Sequence, residues 1–359
     1  MSEPTARTAG PRPIRVMVVD DSAPNRRAVA GMLAAEADVE VVAEAADGED
    51  GLRQALVARP DVICLDLAMP RMDGFTFLRL LMARQPTPVI VVSSFNRKAD
   101  VFKALELGAL DFVAKPEGGP GRLGRIRAEL VQKVRTVRAL RIETLERRAH
   151  DAGAGPDASP DPQASPRAAC LGASTGGPPA LQRILTDLPG NLPMAVLVAQ
   201  HMPERFTRAF ADRVARLADF RVAEAEDGQV LQLGRAYVAP GGRHLSLEAG
   251  RPAGAAPRVR VTSPRPGERR YCPSIDLLFE SAARVLGNRV CAVVLTGMGN
   301  DGRDGLRLVK EAGGLTLAES EETAVVYGMP REAAASGRVD EVVSLDAMAA
   351  RLVRFAHGR

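Results

Sequence analysis

The sequence has no C-x-x-C pair: Cys64, Cys170, Cys272 and Cys291 stand singly along the chain. Thiols scattered in this way indicate neither a zinc site nor a disulfide framework and point to buried free cysteines in a reducing compartment. Long apolar runs are also missing, since no stretch approaches the roughly 20 residues that a membrane-spanning helix needs. Residues 1–13 lack the apolar core of a secretory signal, so a disordered start, no membrane insertion and a cytoplasmic location are expected. Nor is there a strong excess of charge, because 48 Lys and Arg against 44 Asp and Glu leave a net +4, too little to imply nucleic acid. Histidine is scarce, so histidine chemistry must use His150, His201, His244 or His357.

The remaining composition is that of a soluble α/β protein, with 46% hydrophobic and 26% charged residues. At about 100–200 residues per domain, the length calls for two domains. In the first half, apolar runs at Ile14–Val19, Val39–Ala43, Asp61–Asp66, Pro88–Val92 and Asp111–Ala114 alternate with helical patterns such as Pro24–Ala35 and Gly48–Ala58. Five βα units predict a doubly wound parallel sheet, whose ligands collect at the carboxyl ends of the strands. Asp20, Asp21 and Asp66 converge there, with Ser93 and Lys115 at the ends of later strands. Crowded carboxylates repel one another, and a hard cation such as Mg²⁺ relieves that cost. Phosphorylation of one acid would then engage Lys115 and the Ser93 hydroxyl. Each Asp alone fits a strand-end cap, but the five matched ends together favour a ligand site.

These residues resemble the response-regulator receiver family over about Ile14 to Pro116, on Asp20-Asp21, Asp66 before Met69-Pro70 and Asp73-Gly74, Val92-Ser93-Ser94, and Phe112 to Lys115-Pro116. The resemblance implies a flavodoxin-like fold with strand order 2-1-3-4-5 and Asp66 as phosphoacceptor. It also implies Mg²⁺ held by Asp20 or Asp21 with Asp66, Ser93 as switch hydroxyl and Phe112 as switch aromatic, with a kinase phosphohistidine as donor.

Leu123, Ile126, Leu130, Val134, Val137 and Leu140 recur at three and four residues, predicting a last receiver helix that extends towards residue 149. Its other face is basic. A solvated or docking face is the simpler explanation than DNA, because no recognition motif accompanies the charge. The Pro- and Ala-rich run from Asp151 to Pro166 has nothing to bury and predicts a flexible linker over 150–167.

In the second half, Cys170 to Gly177 ends an apolar run in G-x-S-x-G, with Pro178-Pro179 following at a helix start. Small neighbours there let a strand-to-helix turn expose the Ser174 hydroxyl while helix-start amides face a developing oxyanion. A phosphate-binding loop or a capped glycine turn fits the same residues. Met194–Ala199 is a further strand, which places His201 at its carboxyl end, with His244 as the rival base. Arg289–Thr296 is another, leading into Gly297-Met298-Gly299-Asn300-Asp301-Gly302, where Asp301 can orient the imidazole and Asp304 is the nearby alternative. Ala236–Ala239 and Leu245–Leu247, separated by Pro-Gly-Gly-Arg-His, predict a hairpin.

Ala173-Ser174-Thr175-Gly176-Gly177, Gln200-His201-Met202, Pro273-Ser274-Ile275-Asp276, Leu295 to Gly302 and Gly328-Met329-Pro330-Arg331-Glu332-Ala333 resemble the chemotaxis protein-glutamate methylesterase family, CheB. With the receiver, the resemblance covers nearly the whole chain. It implies Ser174 as nucleophile, His201 as base and Asp301 as orienter, with Thr175 and Met298 beside the oxyanion and the histidine, and no cofactor for the esterase. It also implies hydrolysis of glutamyl methyl esters on methyl-accepting chemoreceptors, with deamidation of receptor glutamines, under control of receiver phosphorylation by a chemotaxis histidine kinase. The expected architecture is an α/β chain: a flavodoxin-like (βα)5 receiver over 14–149, then a doubly wound, mostly parallel, Rossmann-like esterase domain over 168–359. A non-catalytic phosphate sink or receptor adaptor is the alternative function. A DNA-binding regulator is a poor one, because no helix-turn-helix pattern follows the linker.

Overall fold

Ile14–Val19 (β1) opens the chain's first sheet and is almost wholly buried, as expected of a strand covered on both faces. The computed structural model describes residues 12–94, 98–116, 120–140, 167–252, 254–267 and 271–358. These fall in two units, Met1–Arg138 and Ala139–Arg359. In the first, β1 is followed by α1 (Ala23–Ala34), β2 (Val39–Ala45), α2 (Gly48–Ala58), β3 (Val62–Leu65), α3 (Gly74–Arg84), β4 (Val89–Ser94), α4 (Lys98–Glu106), β5 (Asp111–Lys115) and α5 (Arg127–Arg135). Ser22, Asp47 and Asp73 start α1, α2 and α3 by accepting backbone N–H groups that the first turn leaves unpaired. The sheet runs β2-β1-β3-β4-β5, every pair parallel, which is the order the receiver resemblance implies. Its order reverses between β1 and β3, so the residues following those two strands face one crevice.

The last receiver helix differs from expectation. Leu123 and Ile126 lie in a 3-10 segment, Pro120–Ile126, Leu130 and Val134 in α5, and Val137 in a second 3-10 segment, Thr136–Ala139. The spacing explains the division: steps of three stack side chains in a 3-10 helix, whereas the steps from Ile126 to Leu130 and Val134 are four, as an α-helix needs. Leu140 is no longer helical; it falls in the second unit, where it forms an isolated bridge with Val326. The extension over 141–149 and most of the expected linker, 150–166, lie outside the described residues. The basic face is matched by acids of its own domain: Arg127 pairs with Glu36, Arg135 with Glu36 and Asp38, and Lys133 with Asp111. Of the expected disordered start, Arg12 is tied down by a two-pronged ion pair with Asp61.

The second unit contains β6 (Arg167–Ala173), α6 (Gly177–Asp187), β7 (Met194–Gln200), α7 (Phe206–Ala215), β8 (Arg221–Glu224), β9 (Arg235–Val238), β10 (His244–Glu248), β11 (Arg258–Thr262) and α8 (Ile275–Leu286). It continues with β12 (Val290–Val294), α9 (Arg303–Glu311), β13 (Leu315–Glu319), α10 (Met329–Ala335), β14 (Glu341–Val343) and α11 (Leu345–Ala356). Seven strands form one parallel sheet in the order β14-β13-β12-β6-β7-β9-β8, with β6 central. The chain builds outward from β6 in one direction and then in the other, so β12, β6 and β7 lie side by side at the reversal.

The expected hairpin is not formed. Ala236, Tyr237 and Val238 are buried, and their strand, β9, fits inside the parallel sheet between β7 and β8. β10 pairs antiparallel with β11 instead, and alternate residues of β11 are exposed, as in a ribbon with one covered face. Helix α8 packs its Ile275, Leu278, Phe279, Ala282 and Leu286 into the core shared with β6, β7 and β12. Its approach to β6 is so close that a Cβ on Gly172 would stand 2.3 Å from Ile275 Cγ2. Only glycine fits there.

Candidate active site

β6 ends at Ala173 and α6 begins at Gly177, so Ser174 sits in the expected strand-to-helix turn, half-buried at the sheet's carboxyl edge. Gly176 makes the turn with φ of +77°, a left-handed value that a side chain would strain. Ser174 is fixed through its backbone: its N–H donates to the Thr296 carbonyl at 3.0 Å, and its own carbonyl accepts from Gly177 N at 2.8 Å. The neighbouring strand β7 is in register with Ala173 opposite Gln200, which brings His201 beside Ser174. His201 N–H donates to the Ala173 carbonyl at 3.0 Å. The Gln200 side-chain amide donates to the carbonyls of both Ser174 and His201 at 2.9 Å, linking the two backbones.

The loop after β12 carries Asp301, whose Oδ2 lies 2.9 Å from His201 Nε2. Asp301 is 5% exposed and collects three further donors: Ile275 N at 2.8 Å, Asp276 N at 3.0 Å and Ser274 Oγ at 3.3 Å. The helix start that supplies them also places its dipole's positive end at the carboxylate. Burial by itself would raise the Asp301 carboxyl, but the His201 bond and charge, with the Ile275 and Asp276 amides, outweigh it and hold Asp301 below the usual carboxylate range. An ionised Asp301 accepts a hydrogen bond from Nε2–H and so keeps the proton on that nitrogen, leaving Nδ1 with its lone pair free to act as a base.

Asp276 stands behind this pair. Its Oδ1 accepts from Gly302 N at 3.0 Å and Gly305 N at 2.7 Å, securing the loop that carries Asp301. Burial pushes its carboxyl up to about 6 against the Gly305 hydrogen bond, helped by the charges of Asp301 and Asp304. The native protein therefore holds a proton there between about pH 4 and 6 that the unfolded chain releases, and Asp276 lowers stability as pH rises through that window. Asp301, shifted downward, contributes stability above about pH 4 and loses it below. Urea unfolding from pH 4 to 7 should show a shallower fall for Asp276→Asn than for wild type, because asparagine keeps the acceptor without the proton. Superimposable pH profiles would mean that Asp276 is ionised throughout.

His244, the rival base, is buried, and its Nδ1 accepts the Ser274 N–H at 3.2 Å. It supports the start of α8, not Ser174. Asp304 is exposed and pairs with Arg303. Thr175 is buried, its carbonyl accepting from Thr296 Oγ1 at 2.9 Å, and Met298 is half-buried in the loop leading to Asp301. Residues that the motifs did not single out also shape the site. Buried Glu319 accepts from Thr296 N at 2.8 Å, below the carbonyl that holds Ser174. The Tyr271 ring stacks on the His201 imidazole, with centroids 4.6 Å apart and planes 10° from parallel. Rarity is all that marks Tyr271 in the sequence, since the chain has three tyrosines.

In the first unit, Lys115 Nζ reaches Asp20 at 2.8 Å and Asp66 at 2.6 Å. Burial raises the Asp20 carboxyl despite Lys115, while the charges of Asp66 and Asp20 raise Lys115 against its own burial. Carboxylate oxygens of Asp20, Asp21 and Asp66 lie within 4.8 Å of one another, and this all-oxygen set fits a hard cation such as Mg²⁺. Ser93 Oγ is buried with no hydrogen-bond partner among the described residues, leaving a donor for an incoming oxygen atom. Phe112 is buried edge-on against Phe102, with ring centroids 6.4 Å apart.

The sequence matches the family model "CheB methylesterase" over residues 169–352 and "Response regulator receiver domain" over residues 16–125. It is 60% identical over 349 residues to "Protein-glutamate methylesterase/protein-glutamine glutaminase 6" of Anaeromyxobacter dehalogenans, covering 96% of each chain. A relative from Myxococcus xanthus, "Protein-glutamate methylesterase/protein-glutamine glutaminase 1", is 48% identical over 347 residues, covering 96% of this chain and 98% of that one. The crystal structure of the Thermotoga maritima CheB methylesterase catalytic domain superposes with a TM-score of 0.51 at 36% identity, covering 53% of this chain and 99% of that one. With a receiver sheet, a parallel catalytic sheet and similarity along almost its whole length, the chain belongs to the CheB methylesterase family.

Proposed function

We propose that the protein is a phosphorylation-activated serine hydrolase that removes methyl groups from glutamate methyl esters on chemoreceptors and deamidates receptor glutamines. The observation that carries this is the His201–Asp301 couple at the end of β7, one strand from Ser174. The names of the relatives support the two activities.

Ser174 Oγ attacks the ester carbonyl as His201 Nδ1 takes its proton, and Asp301 offsets the imidazolium charge. By their match to the family's motifs, Thr175 and Met298 are assigned places beside the developing oxyanion and the histidine. The tetrahedral adduct collapses, His201 returns the proton to the departing methanol, and Ser174 is left acylated. Water, deprotonated by the same nitrogen, then releases the glutamate carboxylate and restores the serine. With glutamine the leaving group is ammonia.

The receiver supplies the control. Asp66 is the phosphoacceptor for a kinase phosphohistidine, and Asp20, Asp21 and Asp66 would hold a Mg²⁺, which would supply positive charge against the incoming phosphoryl oxygens. Ser93 and Lys115 engage phosphoryl oxygens, and Phe112 repacks with them. A cytoplasmic enzyme meets both its substrate and its kinase, and no helix among the described residues is long and apolar enough to cross a membrane.

Methanol release from methylated receptor membranes, with and without a small-molecule phosphodonor, tests the assignment. A non-catalytic adaptor would release none in either arm. Asp66→Asn in the whole chain should keep the basal rate and lose all stimulation by the phosphodonor. Stimulation that survives this substitution would move the phosphoacceptor elsewhere.

A further inference from the structure

We infer that Tyr271 is a positioning residue for the base, holding the His201 imidazole flat and stabilising the cation it becomes when Ser174 is deprotonated. The inference rests on the serine hydrolase assignment above and goes beyond it to a residue outside the serine, histidine and aspartate. Asp301 fixes His201 by its edge, through Nε2, and leaves the ring able to tilt about that bond. Tyr271 restrains the other direction, with its ring 4.6 Å away and 10° from parallel.

Tyr271 is itself held in place. A Cβ on Gly299 would lie 2.7 Å from its hydroxyl oxygen and 3.4 Å from Cζ, so the ring packs directly on the backbone of the loop that carries Asp301. One aromatic side chain thus spans the base and the loop of its carboxylate. It does so while 37% exposed, although burial would be the favourable place for so large an apolar ring. Simple packing does not account for that position.

The electrostatics point the same way. The charged group at the imidazole edge is Asp301, with Asp276 behind it, and the group on its face is the Tyr271 ring. An aromatic face carries partial negative charge and attracts a cation lying over it. Neutral imidazole gains little from that field, but the imidazolium formed during serine attack gains more, so the contact favours the transition state over the ground state. The phenol hydroxyl contributes nothing to this effect.

The test compares wild type, Tyr271→Phe and Tyr271→Leu in the full-length protein with phosphodonor present. Each is followed by kcat and KM for methanol release against pH, and by NMR titration of His201 without substrate. Tyr271→Phe should stay within about twofold of wild type. Tyr271→Leu should lower kcat by about five- to thirty-fold at little-changed KM. It should also move the His201 titration, and the acidic limb of the rate profile, downward by about half to one pH unit. Equal activity and equal titration in all three proteins would overturn the inference. So would a parallel loss in Tyr271→Phe, which would assign the effect to the hydroxyl, or a change in KM alone, which would make Tyr271 a substrate contact. If wild type releases no methanol, the hydrolase assignment fails, while the His201 titration still decides whether Tyr271 acts on the imidazole.

Discussion

Ser174→Ala is expected to lower methyl-ester hydrolysis by about 10⁴-fold or more, because removing the nucleophile of a serine hydrolase leaves only binding and oxyanion stabilisation. Folding and receiver phosphorylation should be unaffected. The reason is local: the bonds to Thr296, Gly177 and Gln200 all use the backbone of Ser174, and alanine keeps every one of them. Methanol release and thermal unfolding, measured on the same preparation, separate loss of chemistry from loss of structure. Activity within a few fold of wild type would remove Ser174 from its role.

Asp301→Asn is expected to cost about 10³- to 10⁴-fold in kcat with little change in KM. Four donors converge on the two oxygens of Asp301, from His201, Ile275, Ser274 and Asp276. Asparagine offers one oxygen and one amide group, so a donor must face a donor. If the amide turns towards His201, Nε2 must become the acceptor and Nδ1 the protonated nitrogen, which removes the base from Ser174. Asp304→Asn is the control, since that side chain is 74% exposed and its ion pair with Arg303 is on the surface. It should stay within about twofold of wild type, in line with the small worth of surface pairs. The opposite ranking would give the orienting role to Asp304.

Much of this site is legible in the order of the amino acids, because chemistry at the edge of a parallel sheet is announced by where apolar runs stop. Asp20, Asp66 and Lys115 follow or end buried runs, as do Ser174 and His201, and the fold brings each group together. What escapes such a reading is non-local. Pro240-Gly241-Gly242 is a strong local turn signal, yet β9 pairs with β7, about forty residues earlier, because its buried residues gain more inside the sheet than on a ribbon. Asp276 stands at the start of α8, but the amides its side chain binds, those of Gly302 and Gly305, belong to the segment after β12, so its place beside Asp301 depends on residues 25 or more positions away. Tyr271 meets His201 across 70 residues with no motif to mark the contact.

The central place of β6 has a consequence for the chain while it is being made. Ser174 and His201 are joined early, by two strands adjacent in sequence and in the sheet, but Asp301 is 100 residues beyond His201. At about 5–20 residues per second, a ribosome needs about 5–20 s to supply that stretch. During that time the nascent polypeptide has Ser174, the proposed nucleophile, and the His201 imidazole, but not the Asp301 carboxylate proposed to set its tautomer. A chain terminated by a premature stop before β12 would remain in that state, lacking also β12 and, two residues past its end, Thr296, whose carbonyl holds the Ser174 amide. Truncated translation products should therefore be hydrolytically silent, and unfinished enzyme should pose no hazard to receptor esters.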